Sequence, residues 1–183
     1  MNPSRSTAGI IGNMFSGALP QAGELALSPE EATQYRLQLI QRRKMLMQSG
    51  ERPRLHALIV EDQAFHRNLL YEVLHYTCSV ITCSNATDGW KIYLKDVPDI
   101  AFVNIGLPDA DGHMLANRIK FLDPLSYVVM VTASKDVYDV EIAKRNRVDG
   151  FIVKPFNKKK IDDCISRYLA LHKEHMKKSR AWR

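Results

Sequence analysis

The segment IAFVNIGLPDADG, Ile100 to Gly112, decides how the rest of the chain is read. It begins with a short apolar run, Ile100 to Val103, that closes on a single polar side chain, Asn104. Pro108, Asp109, Asp111 and Gly112 follow as turn formers. A run this short and this apolar reads as a β-strand buried on both faces, as in parallel sheets covered by helices on either side.

The same alternation recurs on both sides of this segment. Upstream, LHALIV (55–60) and SVITC (79–83) read as strands. Phe65, Leu69, Leu70, Val73 and Leu74 then fall at helical spacing, as do Ala86, Trp90 and Leu94, before Pro98. Downstream, Leu115, Ile119 and Leu122 mark a helix stopped near Pro124. YVVMV (127–131) is a fourth strand, residues 136–146 a weaker helix and GFIV (150–153) a fifth strand. A last helix begins around Ile161, Ile165, Tyr168 and Leu169 and runs to about Lys178. Five strand–helix units predict an α/β fold, a doubly wound parallel sheet with right-handed crossovers.

In such a sheet the functional site lies beyond the carboxyl ends of the strands. Those ends hold Glu61 and Asp62 after the first strand, Asn104 at the third, Thr132 and Ala133 at the fourth, and Lys154 and Pro155 at the fifth. Two acids, an amide, a hydroxyl and an ammonium are thus expected on one edge.

Composition fits one globular domain with extensions: 183 residues, 45% apolar and 25% charged. No apolar run approaches the ~18 residues a membrane span needs, and no signal peptide is read at the N-terminus, so a cytoplasmic location is expected. Cys78 and Cys83 lie five residues apart in one predicted strand, face opposite sides and cannot pair. With Cys164 they are expected to be reduced thiols. The net charge of +6 is uneven. Residues 1–54 carry seven Lys/Arg against four Asp/Glu, residues 55–156 ten against thirteen, and residues 157–183 nine against three.

Taken in order, VED (60–62), GLPDADG (106–112), VTA (131–133) and VKPF (153–156) give residues 55–172 a resemblance to the receiver domain of two-component response regulators. The resemblance implies a flavodoxin-like sheet of order 2-1-3-4-5. It also implies a site that takes a phosphoryl group from a histidine kinase or phosphotransfer protein onto an aspartate at the position of Asn104. Mg²⁺ would be held by Glu61, Asp62, residue 104 and the Gly106 carbonyl. Lys154 and Thr132, with Ala133 and Pro155 beside them, would support the phosphoryl oxygens, and Thr132 and Phe151 would form the switch.

Asn104 departs from that pattern. An amide oxygen carries no full charge and forms no acyl phosphate, so no phosphorylation is expected at this position. A unit-charge pair at about 4 Å contributes on the order of 4 kcal/mol at an effective dielectric of ~20. Mg²⁺ is expected to be weakened by less than that, with the amide oxygen still ligating. The functional expectation is a stand-alone, chemotaxis-type signalling receiver, not an enzyme, acting on a downstream protein through residues 135–147 and 158–168. Two alternatives stand beside it: a phospho-accepting receiver in which Asn104 is an engineered replacement for Asp, and a nucleic-acid-binding regulator using basic termini.

Outside the receiver-like region, residues 1–27 read as disordered and 28–50 as an amphipathic helix, with Ser28 as N-cap and Gly50 at its stop. Residues 51–54 read as a linker and 173–183 as a basic tail. The helix carries Ala32, Tyr35, Leu39 and Leu46 on one stripe and Leu37, Ile40 and Met47 on another. That suits docking on the receiver or homodimerisation, the latter through this helix or the 135–168 face. Arg42, Arg43 and Lys44 are expected to stay in solvent.

Overall fold

Each apolar run becomes a strand of one sheet. The computed structural model describes residues 29–49 and 54–181. The readings made for residues 1–27, Ser28 and Gly50 lie outside the described residues. In chain order the elements are α1 (Pro29–Ser49), β1 (Leu55–Val60), α2 (Ala64–Leu74), β2 (Cys78–Cys83), α3 (Ala86–Asp96), β3 (Ile100–Asn104), α4 (Gly112–Leu122), β4 (Tyr127–Thr132), α5 (Val137–Arg145), β5 (Gly150–Val153) and α6 (Lys158–Ala181). The strands pair in parallel in the order β2-β1-β3-β4-β5.

Alternation along each strand divides the core into two layers. Leu58, Val60, Ala101, Val103, Val128 and Met130 face a layer with Trp90 and Tyr93 of α3, Ala116 and Ile119 of α4, and Leu39 of α1. Ala57, Ile59, Phe102, Val129, Val131 and Ile152 face the other, against Leu70 and Leu74 of α2 and Ile161 and Ile165 of α6. β3 and β4 are buried throughout, as their continuous apolar runs require. Cys78 and Cys83 fall on opposite layers, and both are free thiols with Cys164. Phe65, placed by spacing on the apolar face of α2, is exposed. It sits in the first turn of α2.

The added helix α1 packs against α4. Ala32 and Leu39 are buried, whereas Leu37 on the second stripe is exposed. Arg43, expected in solvent, is only 2% exposed. Its Nε donates to Asp123 Oδ2 at 2.8 Å, and its Nη2 lies 2.6 Å from the same oxygen. Nη2 also donates to the Pro98 carbonyl at 3.0 Å and to the Tyr93 hydroxyl at 3.2 Å. Nη1 lies 3.8 Å from Asp99 Oδ1. Burial works against the charged guanidinium, but Tyr93, Asp123 and Asp99 outweigh it and move its pKa up.

This cluster closes the α3–β3 connection. Val97, a β-branched residue fully buried in the core, ends α3 in the left-handed region at φ 46°, a conformation costing roughly 1–2 kcal/mol outside glycine. The next two residues are the ones Arg43 grips. Sequence pattern alone placed a basic trio at the helix surface; a pair of buried carboxylates at the other end of the contact pulled one member inside.

Removing one partner from a buried ion pair leaves the other charge uncompensated, at a cost of about 3–5 kcal/mol. Arg43→Ala is therefore expected to lower the unfolding free energy by about that amount in urea titration. The double variant Arg43→Met with Asp123→Leu should lose much less.

Candidate functional site

Four strand ends meet at the carboxyl edge, and β3 supplies the centre. Asn104 is 6% exposed there. Its Nδ2 donates to Asp62 Oδ1 at 2.8 Å and to the Gly106 carbonyl at 3.0 Å. Its Oδ1 accepts from Lys154 Nζ at 3.3 Å. Lys154 in turn lies 2.6 Å from Glu61 Oε2. Glu61 is fully buried and Lys154 is 7% exposed, so each charge answers the other out of water. Glu61 Oε1 also accepts from the Gln63 backbone N–H at 3.3 Å.

The remaining residues named from the sequence are arranged more loosely. Thr132 is buried, and its Oγ1 accepts from the Ser134 N–H at 3.0 Å. Its carbonyl accepts from the Lys154 N–H at 2.7 Å, joining the ends of β4 and β5. Ala133 and Pro155 are exposed, and the Lys154–Pro155 peptide is cis. Phe151 lies on β5 opposite Met130, half-buried against the α3/α4 layer rather than among the polar groups.

The loop after β3 is tied down by its own turn residues. Gly106 and Asp111 bridge across it, and the Gly112 N–H donates to Ile105 O at 2.8 Å. A Cβ on Gly112 would lie 1.9 Å from the Asn104 carbonyl oxygen, so only glycine permits this approach. Asp111 caps α4 by accepting from the His113 N–H. Asp109 reaches across to α3, accepting from the N–H groups of Ala86 and Thr87 at 2.8 Å each and from the Thr87 hydroxyl at 2.6 Å. Both loop acids are thus occupied in holding helix starts. At the neighbouring end of β2, burial pushes the Cys83 thiol up to about 11, away from the thiolate form at neutral pH.

Arg67 was not singled out from the sequence. From α2 its Nη1 donates to the carbonyls of Glu61 at 2.7 Å and Asp62 at 3.0 Å. Its position in the first turns of the helix after the acidic pair was the available signal, since the side chain reaches back only five and six residues to those carbonyls.

The resemblance assigns Mg²⁺ to Glu61, Asp62, residue 104 and Gly106, and the donor set here does not fit that ion. Mg²⁺ takes oxygen ligands in near-octahedral array. Two of the assigned oxygens, Asp62 Oδ1 and Gly106 O, instead accept from an amide nitrogen. Glu61 is engaged by Lys154. The amide oxygen, the atom expected to ligate, faces Lys154 in this arrangement. Among the described residues, no group of three or more His, Cys, Asp or Glu could hold a metal ion.

Residues 57–166 match the family description of the response regulator receiver domain. The chain is similar to the chemotaxis protein CheY of Halobacterium salinarum, at 31% identity over 110 residues, covering 60% of this chain and 92% of that protein. It is also similar to the transcriptional regulatory protein AfsQ1 of Streptomyces coelicolor, at 29% identity, where the match spans 59% of this chain and only 48% of the relative. Among solved structures, a CheY-like receiver domain protein from Methanospirillum hungatei shares the fold. Its TM-score is 0.64 at 22% identity, over 67% of this chain and 98% of that one.

Asp109's pKa is lowered. Burial opposes this, but the hydrogen bonds from Thr87 and from the backbone at Ala86 and Thr87 prevail. A depressed carboxylate contributes stability that is present above the unfolded-state pKa, near 4, and lost as pH falls through the folded one. The carboxylate is exposed and screened by solvent, so Asp109→Asn is expected to cost no more than about 1 kcal/mol at neutral pH. The gap from wild type should close in acid, as read by denaturant unfolding across the pH range.

Proposed function

The chain belongs to the response regulator receiver family, the signalling modules of two-component systems, and on that premise we propose that it signals through protein–protein contacts and takes no phosphoryl group at Asn104. The observation carrying this reading is the neutral carboxamide of Asn104, seated between Asp62, Gly106 and Lys154 with both ends hydrogen-bonded. Phosphoryl transfer to a receiver needs a carboxylate oxygen to attack phosphorus. An amide nitrogen delocalises its lone pair into the carbonyl, and here its hydrogens are committed to two acceptors.

No neighbour replaces the missing nucleophile among the described residues. Asp62 is paired with the amide, and Asp109 and Asp111 hold helix starts. Lys154, which the resemblance assigns to a phosphoryl oxygen, serves instead as the internal counter-charge of Glu61.

The contact surface of this reading is the α5–β5–α6 side, residues 135–147 and 158–168. Val137 and Tyr138 stand 70% and 62% exposed at the start of α5. Lys158 and Lys159 sit at the start of α6, each paired with an acid four residues on. A small apolar centre with a charged rim suits a transient protein partner. A histidine kinase or phosphotransfer protein on one side and a downstream protein on the other are the partners this reading names. No described helix is long and apolar enough to cross a membrane.

Incubation with acetyl phosphate and Mg²⁺, followed by intact mass and peptide mapping, tests the reading. The expected result is no added phosphoryl group on the peptide containing Asn104. A phosphorylated Asn104 peptide overturns it.

A further inference from the structure

We propose that Asn104 carries the pocket's own substitute for a divalent cation: its amide nitrogen sits between Asp62 and the Gly106 carbonyl, and makes the site independent of metal. The inference rests on the receiver reading and deepens it, from a domain that does not take a phosphoryl group to one that does not take the ion either.

Orientation of the amide carries the argument. Asp62 Oδ1 and Gly106 O are both acceptors, and both lie within hydrogen-bond range of Nδ2. On the opposite side stands an ammonium, Lys154 Nζ, which can only donate. Turning the amide over to offer its oxygen to a cation would point an NH₂ group at that ammonium. It would also strip Asp62 and Gly106 of their donor. Lys154 is itself held by the buried Glu61 at 2.6 Å, so it cannot easily swing away. The lysine therefore fixes the end of the amide that faces the acid.

Charge balance points the same way. Glu61 is matched by Lys154, and the Arg67 guanidinium lies over the backbone of Glu61 and Asp62. The two acids and two bases at this edge cancel formally. A hard cation binds where oxygen charge is in excess; here the excess has been removed by the chain itself. A carboxylate at position 104 would restore it, placing two like charges about 3 Å apart, an arrangement that favours bound cation.

Thermal unfolding in chelator and in millimolar Mg²⁺ compares the wild type with Asn104→Asp. The wild-type Tm is expected to stay put, whereas that of N104D should rise by about 2–4 °C or more, because ligand bound to the native state alone stabilises it. A wild-type Tm that climbs with Mg²⁺ as far as the variant's overturns the proposal. So does an N104D protein indifferent to Mg²⁺, since the amide would then not be what excludes the ion. Should N104D fail to fold, substoichiometric Mn²⁺ added to ¹⁵N-labelled wild type decides. Unbroadened backbone signals at Asp62 and Gly106 support the proposal, and selective loss of those signals refutes it. Metal binding without phosphorylation would sink this inference and leave the preceding reading intact, whereas phosphate on the Asn104 peptide would sink that reading.

Discussion

A buried ammonium sets the polarity of the whole carboxyl edge. Lys154 has almost no access to water, so its charge has to be answered inside the protein. Glu61 answers it at 2.6 Å, and the oxygen of Asn104 supplies a second acceptor. Everything else at the edge follows from that. The amide oxygen is committed to lysine, its nitrogen turns toward Asp62 and Gly106, and the acid that would otherwise be free finds a donor. Glu61, Lys154, Asn104 and Asp62 thus form one chain of polar contacts across three strand ends.

The opposite edge of the sheet obeys the same rule with different residues. Arg43, on a helix added to the receiver fold, brings its guanidinium to Asp123 and Asp99, two carboxylates that the fold already buries or nearly buries. Few apolar side chains of α1 are buried with it: Ala32 and Leu39 among those described. The ion cluster adds a polar anchor to that contact. It also ties down the Val97–Pro98–Asp99 turn, which delivers β3 into the sheet and, at that strand's far end, Asn104 into the pocket. The two buried charge clusters sit at opposite ends of one strand.

Between them, the loop after β3 acts as a fastener. Asp109 and Asp111 read in the sequence as plain turn formers with no assignable direction. In the fold one caps α4 and the other crosses to the first turn of α3. Their carboxylates are satisfied by backbone donors that a helix start leaves orphaned. Gly112 lets this loop press against the Asn104 backbone.

The sequence by itself determined the alternation of strands and helices, the sheet order through the resemblance of four motifs, and the identity of the polar residues at the strand ends. These are legible because side-chain periodicity and turn chemistry act over a few residues and leave a local trace. Only the tertiary structure decided which way the Asn104 amide faces, that the Arg67 side chain lies over the acidic pair, and that Arg43 is the fully buried member of the basic trio. Those arrangements draw on partners 2 to 80 residues away in the chain. Such pairings arise because a buried donor or charge must find its match wherever the fold has placed one, and sequence spacing carries no record of that distance.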